Sequence, residues 1–239
     1  MKKFLAMLLI AGCGCCIAAR SAAQDHDRDR LVGRLDAARN VLDSIMATPD
    51  HAVPEGIARH AKCIAVVPGV VKGAFIVGAE YGQGVVTCRT DHGWSGPVFI
   101  RLAGGSFGFQ VGGKGTDLVL VAINDRGFQD LLHDKFKIGG DASAAAGPVG
   151  RDAQASTDIS LRAELLTWSR SHGIFAGIDL SGVTISQNAD DTNDIYGGNH
   201  RFEHILRGEV PPPPQAEGFL HAVREYFGDA EMHRDHDDH

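Results

Sequence analysis

Beyond residue 23 the sequence has no apolar run that approaches the roughly 20 residues a helix needs to cross a bilayer, so any membrane contact must be peripheral or by tether. It also lacks a basic excess. Its 23 basic and 30 acidic residues give a net charge of −7, and without Lys2, Lys3 and Arg20 the balance stands at 20 against 30, or −10. Nucleic-acid binding driven by phosphate neutralisation is not expected on that charge. Cysteine is scarce: of five, Cys13, Cys15 and Cys16 crowd the N-terminus, leaving Cys63 and Cys88 for the folded part. These two lack the C-x-x-C spacing of a zinc site, and none is expected. Long helices alternating with strands are missing too, which argues against a doubly wound fold.

What is present begins with an export signal. Lys2 and Lys3 form a short positive region, Phe4 to Ile10 is uninterruptedly apolar, and small residues and cysteines follow through Ala19. Two cleavage readings compete. Ile10-Ala11-Gly12-Cys13 matches a lipobox, in which Cys13 would be lipidated and become the mature N-terminus. Ser21-Ala22-Ala23 before Gln24 fits a small-x-small signal-peptidase site. Either predicts an exported chain, in the periplasm or anchored as a lipoprotein, with the outer membrane favoured.

The expected organisation is a signal over residues 1–23, an amphipathic helix over 24–48, one domain over 49–228, and a disordered Asp/His-rich tail over 229–239. Between Asp27 and Ala47, Leu31, Leu35, Ala38, Leu42 and Ile45 recur at three- and four-residue steps. From Cys63 onward come short runs rich in Val, Ile and Phe: Cys63–Val67 stopped by Pro68-Gly69, Ala74–Ala79, Gly84–Arg89, Val98–Leu102, Gly105–Val111 and Leu118–Ile123. A helix is expected over Phe128–Phe136, and strands over Leu161–Ser169, Ile174–Asp179 and Val183–Ser186. Asn188 to Asn199 reads as a polar loop, and Ala216–Phe227 as a last amphipathic helix. Short strands at regular spacing with glycine turns predict an α+β fold, its antiparallel sheet barrel-like or strongly curled and flanked by helices.

Motifs for catalysis or metal binding fail on their context. Gly104-Gly105-Ser106-Phe107-Gly108 spells a G-x-S-x-G elbow, yet Phe109 to Gly115 is no helix-forming sequence, and the elbow needs a helix directly after its serine. Lys114 follows Gly113 as in a phosphate-binding loop, but Gly115 replaces the Ser/Thr and a strand follows where a helix belongs. Asp190-Asp191-Thr192-Asn193-Asp194 lacks the glycine and terminal glutamate of a calcium loop and reads as solvated. His233, His236 and His239 lie in a tail whose flexibility allows only weak, adventitious metal binding. No metal, cofactor or catalytic residue is expected.

Two features carry alternatives. The apolar stripe near the N-terminus is flanked by Arg30, Arg34 and Arg39. It is either a helix packed on the domain's own core or an interfacial helix that inserts Leu31, Leu35 and Leu42 and holds arginines at the headgroups. Cys63 and Cys88 are expected to form a disulfide, which an exported domain invites, with two buried thiols as the alternative.

Several segments together resemble the SYLF family of bacterial envelope proteins and eukaryotic lipid- and actin-associated proteins. They include Ala61 to Pro68, Gly93-Trp94-Ser95-Gly96-Pro97, Gly105 to Gly112, Gly147-Pro148-Val149-Gly150-Arg151 and Ser169-Arg170-Ser171-His172-Gly173-Ile174-Phe175-Ala176-Gly177, in order between about Pro54 and Phe227. The resemblance implies a membrane-lipid-binding module without catalytic residues. Among its eukaryotic members it is associated with phosphoinositides and, in fungi, with actin, neither of which suits an exported bacterial chain. Lys114, Arg151 and Arg170, in the matching loops, join Arg30, Arg34 and Arg39 as expected headgroup contacts. The alternative is an envelope protein that binds another protein through its sheet.

Overall fold

A computed structural model describes residues 26–48, 50–74, 77–107, 115–149, 163–171, 174–175 and 180–228. Helix α1 spans 26–46. After α2 (Glu55–His60) come β1 (Cys63–Ala74), β2 (Val77–Thr90), β3 (Gly93–Trp94), β4 (Val98–Phe107), β5 (Thr116–Ala122) and α3 (Asp125–Leu132). The chain continues through β6 (Lys135–Lys137), β7 (Ala144–Ala146), β8 (Leu165–Ser171), β9 (Ile174–Phe175) and β10 (Thr184–Gln187). It closes with α4 (Ala189–Tyr196), α5 (Phe202–Leu206) and α6 (Glu217–Phe227).

The main sheet runs β6-β10-β4-β2-β1-β5-β8-β7, antiparallel except for the β7–β8 pair. Its edge strands β6 and β7 are neighbours in sequence, joined only by residues 138–143. That link extends both edges: Ile138 N–H donates to Val183 C=O and Leu165 N–H donates to Ser143 C=O. A sheet whose two edges are tied by so short a connection must curl, and the expected α+β fold with a strongly curled antiparallel sheet is the one observed.

Period-two alternation divides the sheet's side chains between two cores. Ala65, Val67, Ile100, Leu102, Leu118, Leu120, Phe136 and Ile185 point to the concave side, where α5 contributes Phe202, Ile205 and Leu206. On the convex side, Phe99, Val85, Val66, Val119 and Trp168 stand in register across β4, β2, β1, β5 and β8. They pack beneath α1 and α6 through Leu31, Leu35, Leu42, Phe219 and Val223.

Three local readings are corrected. Pro68-Gly69 does not stop β1. The strand passes a bulge between Val66 and Val71, where Gly69 takes φ +59° and its N–H donates to the Asp117 carboxylate. A Cβ on Gly84 would lie 2.2 Å from Val66 C=O at this bulge, so the glycine permits the close approach. The helix expected over Phe128–Phe136 begins earlier, at Asp125, because Asn124 caps it by accepting from Gly127 N–H. Its expected end is strand β6. The polar stretch after Asn188 is helix α4, not a solvated loop: Asn188 accepts from Asp191 N–H and Gly197 closes the helix at φ +69°.

Cys63 and Cys88 are directly opposite in the β1–β2 register and form a disulfide. Ser106 lies inside β4 opposite Gly78, in a strand and not at a strand-to-helix turn. Among the described residues no helix is long and apolar enough to cross a membrane. Cys13 and the Asp/His tail lie outside the described residues.

Candidate functional site

Of the arginines flanking the α1 stripe, Arg34 is turned inward. Its side chain is 9 % exposed and pairs at 2.5 Å with Asp191, itself 8 % exposed. The second Arg34 nitrogen donates to Gln83, and the guanidinium lies 5.3 Å over the Phe99 ring. Arg30, half in solvent, reaches the other Asp191 oxygen at 3.0 Å. Asn188 donates to the same carboxylate and accepts from Arg101 at 2.6 Å. Burial alone would raise the Asp191 carboxyl, but the hydrogen bonds from Arg34 and Arg30 outweigh it and hold its pKa below the ordinary value. Arg39 is exposed and pairs with Asp43 at 3.5 Å.

Leu31, Leu35 and Leu42 are fully buried. In this structure the stripe faces the sheet, so the expected lipid-inserting face of α1 is already occupied by the core. The physical reason is the apolar register row beneath it, from Phe99 to Trp168, which needs a roof. Arg170 stands near the end of β8 opposite Asp117 and is partly exposed. Lys114 and Arg151 lie outside the described residues.

The roof does not cover the whole convex face. One register row joins Lys137, Thr184, Ala103, Tyr81 and Val71 across β6, β10, β4, β2 and β1. The row beside it joins Lys135, Ser186, Arg101 and Gln83. Their sequence neighbours Phe136, Ile185 and Leu102 point into the concave core, which fixes these residues on the outside. Val71 and Tyr81, directly opposed, are 49 % and 50 % exposed and are the large apolar side chains left in solvent among the described residues. Lys135, Lys137 and Ala103 are exposed as well. Gln83 and Arg101 mark the border, since each is held by the polar cluster around Asp191. Five strands at about 4.8 Å spacing make the longer row roughly 19 Å long, measured around the curl of the sheet.

Periodicity could have revealed the edge of this face. Lys135-Phe136-Lys137 and Thr184-Ile185-Ser186 alternate polar, apolar, polar, the pattern of strands with one wet side. The Val71–Tyr81 pair has no such signal, because its register depends on the bulge at Pro68-Gly69.

Comparison with known proteins places this geometry. A family model described as "Ysc84: Las17-binding protein actin regulator" matches residues 103–226. SH3 domain-containing YSC84-like protein 1 of Rattus norvegicus is 33% identical over 180 residues, covering 74% of this chain and 53% of that protein. Protein YSC84 of Saccharomyces cerevisiae is 32% identical over 193 residues, 79% of this chain and 41% of the yeast protein. LAS seventeen-binding protein 3 of the same species is 31% identical over 172 residues, 70% of this chain and 37% of its own length. The chain thus spans about half the length of these relatives or less. With the family model matching more than half of its residues, the chain belongs to the Ysc84 family, the SYLF-domain proteins.

Proposed function

We propose that this chain is a non-enzymatic module that binds membrane lipid at the cell envelope, exported by its N-terminal segment and held at the outer membrane through a lipidated Cys13. The observation that carries the lipid reading is the exposed cross-strand pair Val71 and Tyr81 on an unroofed sheet face. An aliphatic side chain beside an amphipathic aromatic suits the boundary between headgroups and acyl chains. Net negative charge makes long-range attraction to anionic bilayers unfavourable, so contact rests on short-range apolar and cationic groups.

The test is co-sedimentation of residues 24–239 with lipid vesicles. Residues 1–23 are left out because their apolar run would bind vesicles by itself. Sedimentation with vesicles is the expected result, only partly weakened by salt. Failure with every lipid composition sinks the reading. The Las17-binding character of the family's namesakes then favours the second reading, an envelope protein that binds another protein through its sheet.

A further inference from the structure

We infer that the proline stretch between α5 and α6 is a docking ridge for a partner protein, read by an aromatic-lined groove that recognises polyproline II backbone. This surface is separate from the sheet and independent of the lipid-binding reading.

Residues 211–214 are four consecutive prolines. Each proline ring holds its own φ near −65°, and each residue before a proline is driven to an extended ψ. Val210, Pro211, Pro212 and Pro213 all precede a proline, so the sequence alone sets polyproline II backbone here. Pro213 shows it, with φ −67° and ψ 144°. Such a helix has three residues per turn, so residues three apart share an edge. Val210 packs against the concave core, Pro213 is buried, and Ala216 belongs to the convex core. That edge anchors the stretch to the domain. Gly96 lies beneath it, where a Cβ would stand 3.2 Å from Pro212 Cα. Pro211 with Pro214, and Pro212 with Gln215, form the other two edges, and all four residues are exposed.

Starting α6 accounts for only half of these prolines. Pro214 opens the 3-10 turn that leads into α6, and Pro213 C=O accepts from Ala216 N–H. Pro211 and Pro212 take no part in that turn. Their rings stand in solvent, and their C=O groups accept no hydrogen bond from a described residue. Proline rings beside free acceptors suit an aromatic-lined groove. Its rings pack on the prolines, while indole N–H or phenol O–H groups donate to the carbonyls. The prolines and the anchored edge fix the backbone before contact, so docking costs little conformational entropy.

The experiment titrates isotope-labelled residues 24–239 with three purified proline-reading probes: an SH3, a WW and an EVH1 domain. At least one should bind and shift the amide signals of Glu209, Val210 and Gln215, leaving those of Tyr81 and Ala103 on the sheet unmoved. The double variant Pro211→Ala/Pro212→Ala should bind that domain about 10-fold more weakly, the scale of truncating contact residues at the centre of an interface. It keeps Pro213 and Pro214, so α6 starts as before and the melting transition stays cooperative. The amide shifts of the parent locate the contact without any variant. Tyr81→Ser should bind like the parent. Binding by none of the three domains overturns the inference. So do shifts that fall on the sheet and not beside the prolines, or parent-like affinity in the double variant. Each of these results leaves vesicle sedimentation, and with it the lipid-binding reading, untouched.

Discussion

Arg34 of α1 and Asp191 of α4 lie 157 residues apart in sequence and meet in a nearly buried ion pair at 2.5 Å. The pair fastens the roof helix to the sheet through α4, and Asn188 carries the same cluster to Arg101 on β4.

Asp191→Ala should lower stability by about 3 kcal/mol, because it leaves the Arg34 guanidinium buried without a counter-charge. The pH dependence has a defined sign. The folded-state pKa of Asp191 is lowered, so its contribution is complete above the ordinary carboxylate value of about 3.9 and is lost as the pH falls through the lower folded value. Urea melts against pH should show this loss in the parent and its absence in the variant.

Asp130 carries the opposite sign. Burial first, and then the nearby Glu164, raise its pKa, and its Oδ2 is buried without a hydrogen-bond partner. A raised carboxyl costs stability increasingly as the pH climbs above the ordinary value. Asp130→Asn should therefore stabilise the fold near neutrality by about 1 kcal/mol. Thermal melts should show that gain vanishing at acid pH, where parent and variant are both uncharged at this position.

Cys63 and Cys88 close a loop across 25 residues of sequence between directly paired strand positions. Replacing both with alanine should cost about 3 kcal/mol, mainly by freeing the unfolded chain. Mass analysis of non-reduced protein gives the independent check: two free thiols per chain would remove the basis of the prediction.

The elements visible in the sequence were those whose pattern is local. Leu31, Leu35 and Leu42 declare α1 by their spacing, and the Val-rich runs from Cys63 onward declare a curled antiparallel sheet. The sequence did not reveal which side of α1 would be free, because an apolar stripe looks the same whether it meets lipid or its own core. Only the register row from Phe99 to Trp168, assembled from five strands, decides that. Helix α4 was legible in hindsight from Asn188 as cap, Asp190 and Asp191 in the first turn and Gly197 at the end. Its density of polar residues hid it, since Asp191 is buried by a partner far away in sequence. The Val71–Tyr81 pair was hidden for a similar reason, as a bulge resets which residues share a face.

Arg89 offers a test of how the C-terminal helix is held. Its guanidinium stacks 4.6 Å over the Trp94 ring and donates to four carbonyls: Ala58 and Ala61 at the end of α2, and Phe227 and Gly228 at the end of α6. Trp94 Nε1–H adds a bond to Gly228 C=O at 2.8 Å. Helix C-termini present unsatisfied carbonyls and partial negative charge, and a planar fork can serve several at once where an ammonium cannot. Arg89→Lys keeps the charge and loses the fork. It should cost about 2 kcal/mol, from several charged hydrogen bonds of which a lysine restores only some. Amide exchange should accelerate selectively in the last turn of α6, with α1 and the central strands protected as before. Exchange that rises uniformly across the sheet would show instead that Arg89 supports the whole fold and not the helix ends it touches.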